Sequence, residues 1–162
     1  MWRIAVHGAV LSALASAFIA ITLALNPRLW LQDYPQDIRD RVPPKTNAEK
    51  RASLIIGIPF LILLLAVPFA STLTLKVQES GDTSFLRLAA NGFGVLFIFN
   101  LVDWLILDWL AFCTITPQFV VIPGSKGAAG YRDYAFHFRG FLIGTVFSAA
   151  TGLAIAGAVC LL

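Results

Sequence analysis

The sequence predicts an all-α integral membrane protein with four transmembrane helices in an antiparallel up-down bundle. Of its 162 residues, 58% are hydrophobic and 13% are charged, and the mean hydropathy is +0.79. Four apolar runs each supply the ~20 helical residues that a hydrocarbon core of about 30 Å requires. None of them alternates in polarity as the strand of a barrel would. We expect one domain over residues 1–162, with helices at about 4–25, 46–75, 84–113 and 135–162.

The positions of Lys and Arg predict the orientation in the membrane. Nine of the 12 lie in or beside the first and third connections, and three lie on the opposite side. Short loops rich in Lys and Arg favour the cytoplasm. We therefore expect cytoplasmic loops at about 26–45 and 114–134, both termini outside, and a multi-pass protein of the plasma membrane. Topology accounts for the net charge of +3, so it indicates no nucleic-acid partner.

Small residues recur every four positions in the first and fourth predicted helices. Such ridges let another helix approach closely. The first and fourth helices are neighbours in a simple antiparallel bundle. We therefore expect the two ridges to pack on each other, or one of them to form a homo-oligomer. The ridges are Gly8, Ser12, Ser16 and Ala20 in the first helix, and Gly140, Gly144, Ser148 and Gly152 in the fourth.

Three local patterns organise the loops. Asp33-Tyr34-Pro35 resembles a helix start and predicts a short helix to about Arg41, with Tyr34 at the level of the lipid head groups. Thr46 and Glu49 have the spacing of a capping box, which predicts the start of the second helix. Ser80-Gly81-Asp82 predicts a turn on the outer side. The first helix, longer than a signal-peptide core, is expected to be an uncleaved anchor.

The third predicted helix carries polar side chains that are costly in lipid. A charge at the bilayer centre costs at least ~2.5–3.5 kcal/mol, so such residues usually face a bundle interior or a cavity. At about 100° per residue, Asn100, Asp103, Trp104 and Asp108 occupy one broad face, with the two carboxylates at about −60° and +80°. His137, at the start of the fourth helix, is expected at the depth of Asp108.

One function that fits this cluster is acid–base catalysis on a lipophilic, isoprenoid or lipid-like substrate. Desolvation separates the proton affinities of neighbouring acids and bases, which lets them take different roles. The candidate catalytic residues are Asp103 as general acid and Asp108 with His137 as an acid–base pair. The candidate substrate-binding residues are Asn100, Trp104, Trp109, Tyr131, Asp133 and Tyr134.

Two other functions fit the same residues. Buried carboxylates also serve as proton relays, so a proton-coupled transporter or exporter that works as a homo-oligomer is an alternative. A structural or accessory membrane protein, in which these polar contacts only join helices, is another. The expected partners are the bilayer, a lipophilic small molecule and a second copy of the chain. A metal site formed by Asp103, Asp108, Asp133 and His137 is a variant of the enzyme hypothesis, although these residues lack a recognised ligand spacing, and the sequence leaves any cofactor undetermined.

Overall fold

The computed structural model describes residues 2–79 and 83–162, and these contain helices and no strand. The four helices long and apolar enough to cross a membrane begin and end within three residues of the predicted bounds. The predicted turn at Ser80-Gly81-Asp82 lies outside the described residues. The spans are α1 (Trp2–Leu25), α3 (Asn47–Gln78), α4 with its continuation (Phe85–Ile115) and α5 (Tyr134–Cys160).

The start of α3 follows the predicted capping box. The Glu49 amide donates to the Thr46 hydroxyl at 3.2 Å, and the Thr46 amide donates to the Glu49 carboxylate at 2.7 Å. Arg28 from the preceding loop forms an ion pair with Glu49 at 2.5 Å and donates to the Pro43 carbonyl at 3.1 Å. These contacts fix the loop against the end of α3, because Glu49 satisfies backbone and guanidinium donors together.

The central element of the bundle is α4, which packs against α5 on one side and against α1 and α3 on the other, whereas α1 and α5 share at most a marginal contact. The prediction that the two small-residue ridges pack on each other is therefore wrong. A Cβ added to Gly8 would meet Ile98, and one added to Gly152 would meet the backbone of Phe93. Each ridge accommodates a different face of α4, because glycine lets its bulky residues approach.

The continuation of α4, Asp103–Ile115, is a π-helix of 13 residues, which we call the π segment. Its hydrogen bonds span five residues rather than four, as from the Thr116 amide to the Ala111 carbonyl at 2.8 Å. Residues five apart therefore lie on the same face, as residues four apart do in an α-helix. Trp104 and Trp109 show this directly, since their ring centroids are 4.7 Å apart. The assumption of an ordinary α-helix through Phe112 was wrong.

The two long connections fold together at one end of the bundle into a unit that we call the loop cap. It contains 3₁₀ helices at Pro27–Asp33, Gln118–Val120 and Ala129–Arg132, and the short helix α2 at Gln36–Asp40. The Tyr34 hydroxyl donates to the Val120 carbonyl at 2.8 Å, with only 2% of Tyr34 exposed. Tyr34 therefore forms part of the core of the cap, and its position at the level of the lipid head groups stays a prediction.

Candidate functional site

A cavity of about 670 Å³ lies between the loop cap, the π segment and the adjoining halves of α1 and α5. It occupies the space that α1 and α5 leave by not packing on each other. Its apolar walls include Ile19 of α1, Phe60 of α3 and Phe141 of α5. Small-molecule sites in proteins are commonly mostly apolar cavities of ~300–1,000 Å³ with a few polar groups. The size and lining therefore suit a small lipophilic molecule.

Five of the predicted site residues line this cavity. They come from the end of α4, from the π segment and from the start of α5, and the geometry of the π segment is what groups them. Asp103 and Asp108 are five positions apart. This spacing places them on the same face of a π-helix, whereas an α-helix would separate them by about 140°. The five are Asn100, Asp103, Trp104, Asp108 and His137.

The other four predicted site residues lie outside the cavity lining and have local contacts. Asp133 accepts a hydrogen bond from the Phe136 amide at 2.9 Å and so caps α5. Trp109 donates to the Tyr134 carbonyl at 3.3 Å, and the two rings stack edge to face at 5.6 Å. Tyr131 lies in the core of the loop cap, where its hydroxyl accepts from the Ile122 amide at 2.9 Å.

Asp108 and His137 form the central contact of the cavity. The Nδ1 atom of His137 lies 3.0 Å from Oδ1 of Asp108, and the His137 side chain is 7% exposed. An ionised carboxylate only accepts hydrogen bonds, so a neutral His137 ring would carry its proton at Nδ1 in this contact. In that tautomer the other ring nitrogen, Nε2, is an acceptor. It is buried and has no hydrogen-bond partner among the described residues.

Two further side chains are held in defined positions deeper in the cavity. Asn100 donates from Nδ2 to the Phe141 carbonyl at 3.0 Å and to the Thr145 hydroxyl at 3.1 Å. The ring of Trp104 stacks on Phe141 with centroids 4.5 Å apart. Its Nε1 donor is buried and finds no acceptor in the described part of the chain. A buried donor without a partner is costly, and the residues that line the cavity include two such buried atoms, Nε1 of Trp104 and Nε2 of His137.

The loop cap contributes cavity residues that the sequence analysis missed. Asp33 and Gln32 line its mouth, with Arg139 from α5. Asp33 was interpreted as the cap of a short helix, but that cap position belongs to Pro35. Desolvation raises the pKa of Asp33, an effect that Lys45 opposes. Only folding of the loop over the bundle brings Asp33 here, and no pattern in the sequence indicated it.

A second polar cluster lies in the opposite half of the bundle. His7 Nδ1 is 2.6 Å from the Ser71 hydroxyl, which also accepts from Asn91 at 3.0 Å, and Asn91 donates to Thr72 at 3.1 Å. His7 thus has a partner, although its sequence context showed none. A layer of apolar side chains separates the two clusters, formed by Leu11, Ala15, Val95, Leu96 and Phe99.

Within residues 2–79 and 83–162, no three His, Cys, Asp or Glu side chains lie close enough together to hold a metal ion. Both cysteines are free, with Cys113 buried and Cys160 exposed. Comparison of the chain with models of protein families, with curated proteins and with solved structures finds no match. The function of the protein must therefore be inferred from the cavity itself.

Proposed function

We propose that this protein is a membrane enzyme that performs acid–base chemistry on a lipophilic substrate bound in the cavity. The observation that carries the proposal is the buried Nε2 atom of His137, an acceptor without a protein partner on a ring that Asp108 orients. A carboxylate that fixes the tautomer of a histidine makes the other ring nitrogen a base. A wall that is otherwise mostly apolar selects a substrate of the same character.

The proposed orientation places the loop cap in the cytoplasm and both termini outside, in a plasma-membrane bundle of antiparallel, up-down helices. Two contacts support it, since Arg3 donates to Gln78 and Lys76 donates to the Val159 carbonyl at 3.0 Å. Both ends of the chain then share the side of the connection between α3 and α4. The basic loops support a cytoplasmic cap, because short loops rich in Lys and Arg stay inside.

In the proposed reaction His137 takes a proton from the substrate at Nε2. The carboxylate of Asp108, 3.0 Å from Nδ1, stabilises the imidazolium that forms. Asp103, one π turn deeper, is the proposed acid that returns a proton to the substrate. Trp104 contributes an aromatic face against the reacting part of the substrate. General acid–base catalysis of this kind contributes about 10²–10⁴-fold in rate.

Proton-coupled transport is the second candidate, and the polar cluster around His7 favours it. Together with the cavity, this cluster provides ionisable groups in both halves of the bundle. The apolar layer around Leu11 and Val95 opposes it, because both side chains are fully buried between the two polar clusters. A homo-oligomer that transports would have to open this layer. We therefore favour the enzyme.

The test compares membranes that contain the wild-type protein, His137→Gln, Asp103→Asn or His7→Gln. Each is incubated with a total lipid extract in deuterated water, and lipids are analysed by mass spectrometry. We expect a lipophilic species that changes in mass with the wild-type protein and with His7→Gln, but not with the two cavity variants. His7→Gln is the matched control, since it removes the other histidine and leaves the cavity intact.

Two results would contradict the enzyme. Proton flux into proteoliposomes that requires both His7 and Asp103, without any change in lipid, would establish transport instead. Equal behaviour of all four proteins in both assays, with equal folding, would leave only a structural role.

A further inference from the structure

The lining of the cavity includes residues at the outer surface of α5. Gly140 is exposed, and Ile143 is 57% exposed. The lining also includes Ile19 and Leu23 of α1. Both helices are long and apolar enough to cross a membrane. An opening between them would let a molecule dissolved in the bilayer reach the cavity without passing through water.

Two buried polar atoms on residues that line the cavity define the head group that fits. Nε2 of His137 is an acceptor without a donor, and Nε1 of Trp104 is a donor without an acceptor. A hydroxyl group is the smallest group that both donates and accepts. An ammonium ion offers only donors, and a carboxylate or phosphate offers mainly acceptors.

The charges of the lining also oppose the binding of an anionic head group. With Asp103 in the protonated form that the proposed acid requires and His137 neutral, the lining contains the carboxylates of Asp33 and Asp108 against the single guanidinium of Arg139. Like charges that face each other in a binding site cost several kcal/mol of affinity. An anionic lipid head is therefore excluded by repulsion as well as by hydrogen bonding.

We propose that the cavity binds a long-chain alcohol whose hydroxyl group lies at His137 and whose chain leaves the protein between α1 and α5, past Gly140. This rests on the proposed function and names the class of substrate that the same cavity takes. In the bound state the hydroxyl group donates a hydrogen bond to Nε2 of His137.

Gly140 provides a direct way to close the opening. A Cβ added there meets no atom within 4 Å, and the same holds at Gly157 near the other end of α5, which does not line the cavity. Gly140→Leu therefore narrows the slot without a clash in the bundle, and Gly157→Leu is its matched control. Gly144 is unsuitable, because a Cβ there would collide with the Asn100 side chain.

The experiment uses the full-length protein in lipid nanodiscs and three photoreactive probes. These are a hexadecanol, a hexadecanoic acid and a hexadecylamine, each with a diazirine at mid-chain, and crosslinked peptides are identified by mass spectrometry. We expect the alcohol to label the α1 and α5 cavity walls about tenfold more than the acid or the amine, which corresponds to ~1.4 kcal/mol. Gly140→Leu should lose this labelling, and Gly157→Leu should keep it.

Labelling by the acid or the amine equal to that by the alcohol would overturn the head-group assignment. Equal labelling of Gly140→Leu and Gly157→Leu would overturn entry between the helices. Probe binding does not require turnover, so the two proposals fail separately. Alcohol labelling without a change of lipid in deuterated water would refute the enzyme alone, and turnover without alcohol labelling would refute only this inference.

Discussion

Gly152 marks the closest approach of α5 to α4, and Gly152→Ala tests that packing. An added Cβ would lie 2.7 Å from the Phe93 amide nitrogen and 2.9 Å from the Ala89 carbonyl oxygen. Ordinary contacts between carbon atoms lie at about 3.5–4.0 Å. The atoms in the way belong to the backbone, so no side chain can rotate aside, and α5 must move away from α4.

The expected cost follows from this overlap. Inserting one methyl group into a well-packed interior destabilises a protein by about 1–3 kcal/mol, and rigid backbone neighbours favour the upper part of that range. Gly157→Ala is the control, because no atom lies within 4 Å of a Cβ there. Alanine also raises helix propensity by up to ~1 kcal/mol at both positions. The difference between the two variants therefore isolates the packing cost.

Reversible unfolding in mixed micelles, followed by circular dichroism, gives the free energy of unfolding of each variant. We expect Gly152→Ala to be less stable than Gly157→Ala by about 1–3 kcal/mol. Equal stability of the two alanine variants would refute the central position of α4 against α5. That position is also what brings His137 to Asp108.

Three further predictions concern the loop cap and the cysteines. Desolvation raises the pKa of Tyr34, so wild-type stability should fall as the pH rises above the ordinary value of about 10, because the unfolded chain ionises first. Tyr34→Phe should lack this fall in thermal scans from pH 8 to 11, and a fall equal to that of the wild type would contradict burial. Asp37 accepts a hydrogen bond from the Gly130 amide at 2.8 Å, so Asp37→Ala should destabilise the cap by ~1 kcal/mol or more. Proteolysis within 116–133 should then be faster, and an unchanged rate of proteolysis would disprove that contact. An impermeant maleimide outside intact cells should modify Cys160 and not Cys113, which is 1% exposed, and the reverse would overturn the orientation.

The spans could be predicted from the sequence because the bilayer imposes a minimum length on every apolar run. The same holds for the start of α3, where Thr46 and Glu49 carry a local signal that needs no tertiary contact. The partners of each helix could not be predicted in this way. Small-residue ridges indicate that another helix approaches closely, but they do not indicate which one. Both ridges pack against α4 rather than against each other.

The candidate site was predicted in part, for reasons that lie in the π segment. Helical angles at about 100° per residue placed Asp103 and Asp108 far apart on a broad face. The repetition of Asp-Trp at 103–104 and 108–109, five residues apart, matches the hydrogen-bond spacing of a π-helix and is the signal that could have revealed it. Asp33 carries no such signal, because a long loop must fold back to place it.

The central claim is that His137 presents an unprotonated Nε2 atom to the cavity, and its ¹⁵N spectrum tests this most directly. The protein has two histidines, so His7→Gln assigns the remaining ring in protein labelled with ¹⁵N-histidine. We predict a neutral ring protonated at Nδ1, with Asp108→Asn moving part of the proton to Nε2 because an amide can donate to Nδ1. A wild-type ring protonated at Nε2 would contradict the account, since His137 could not then take a proton from the substrate at that atom.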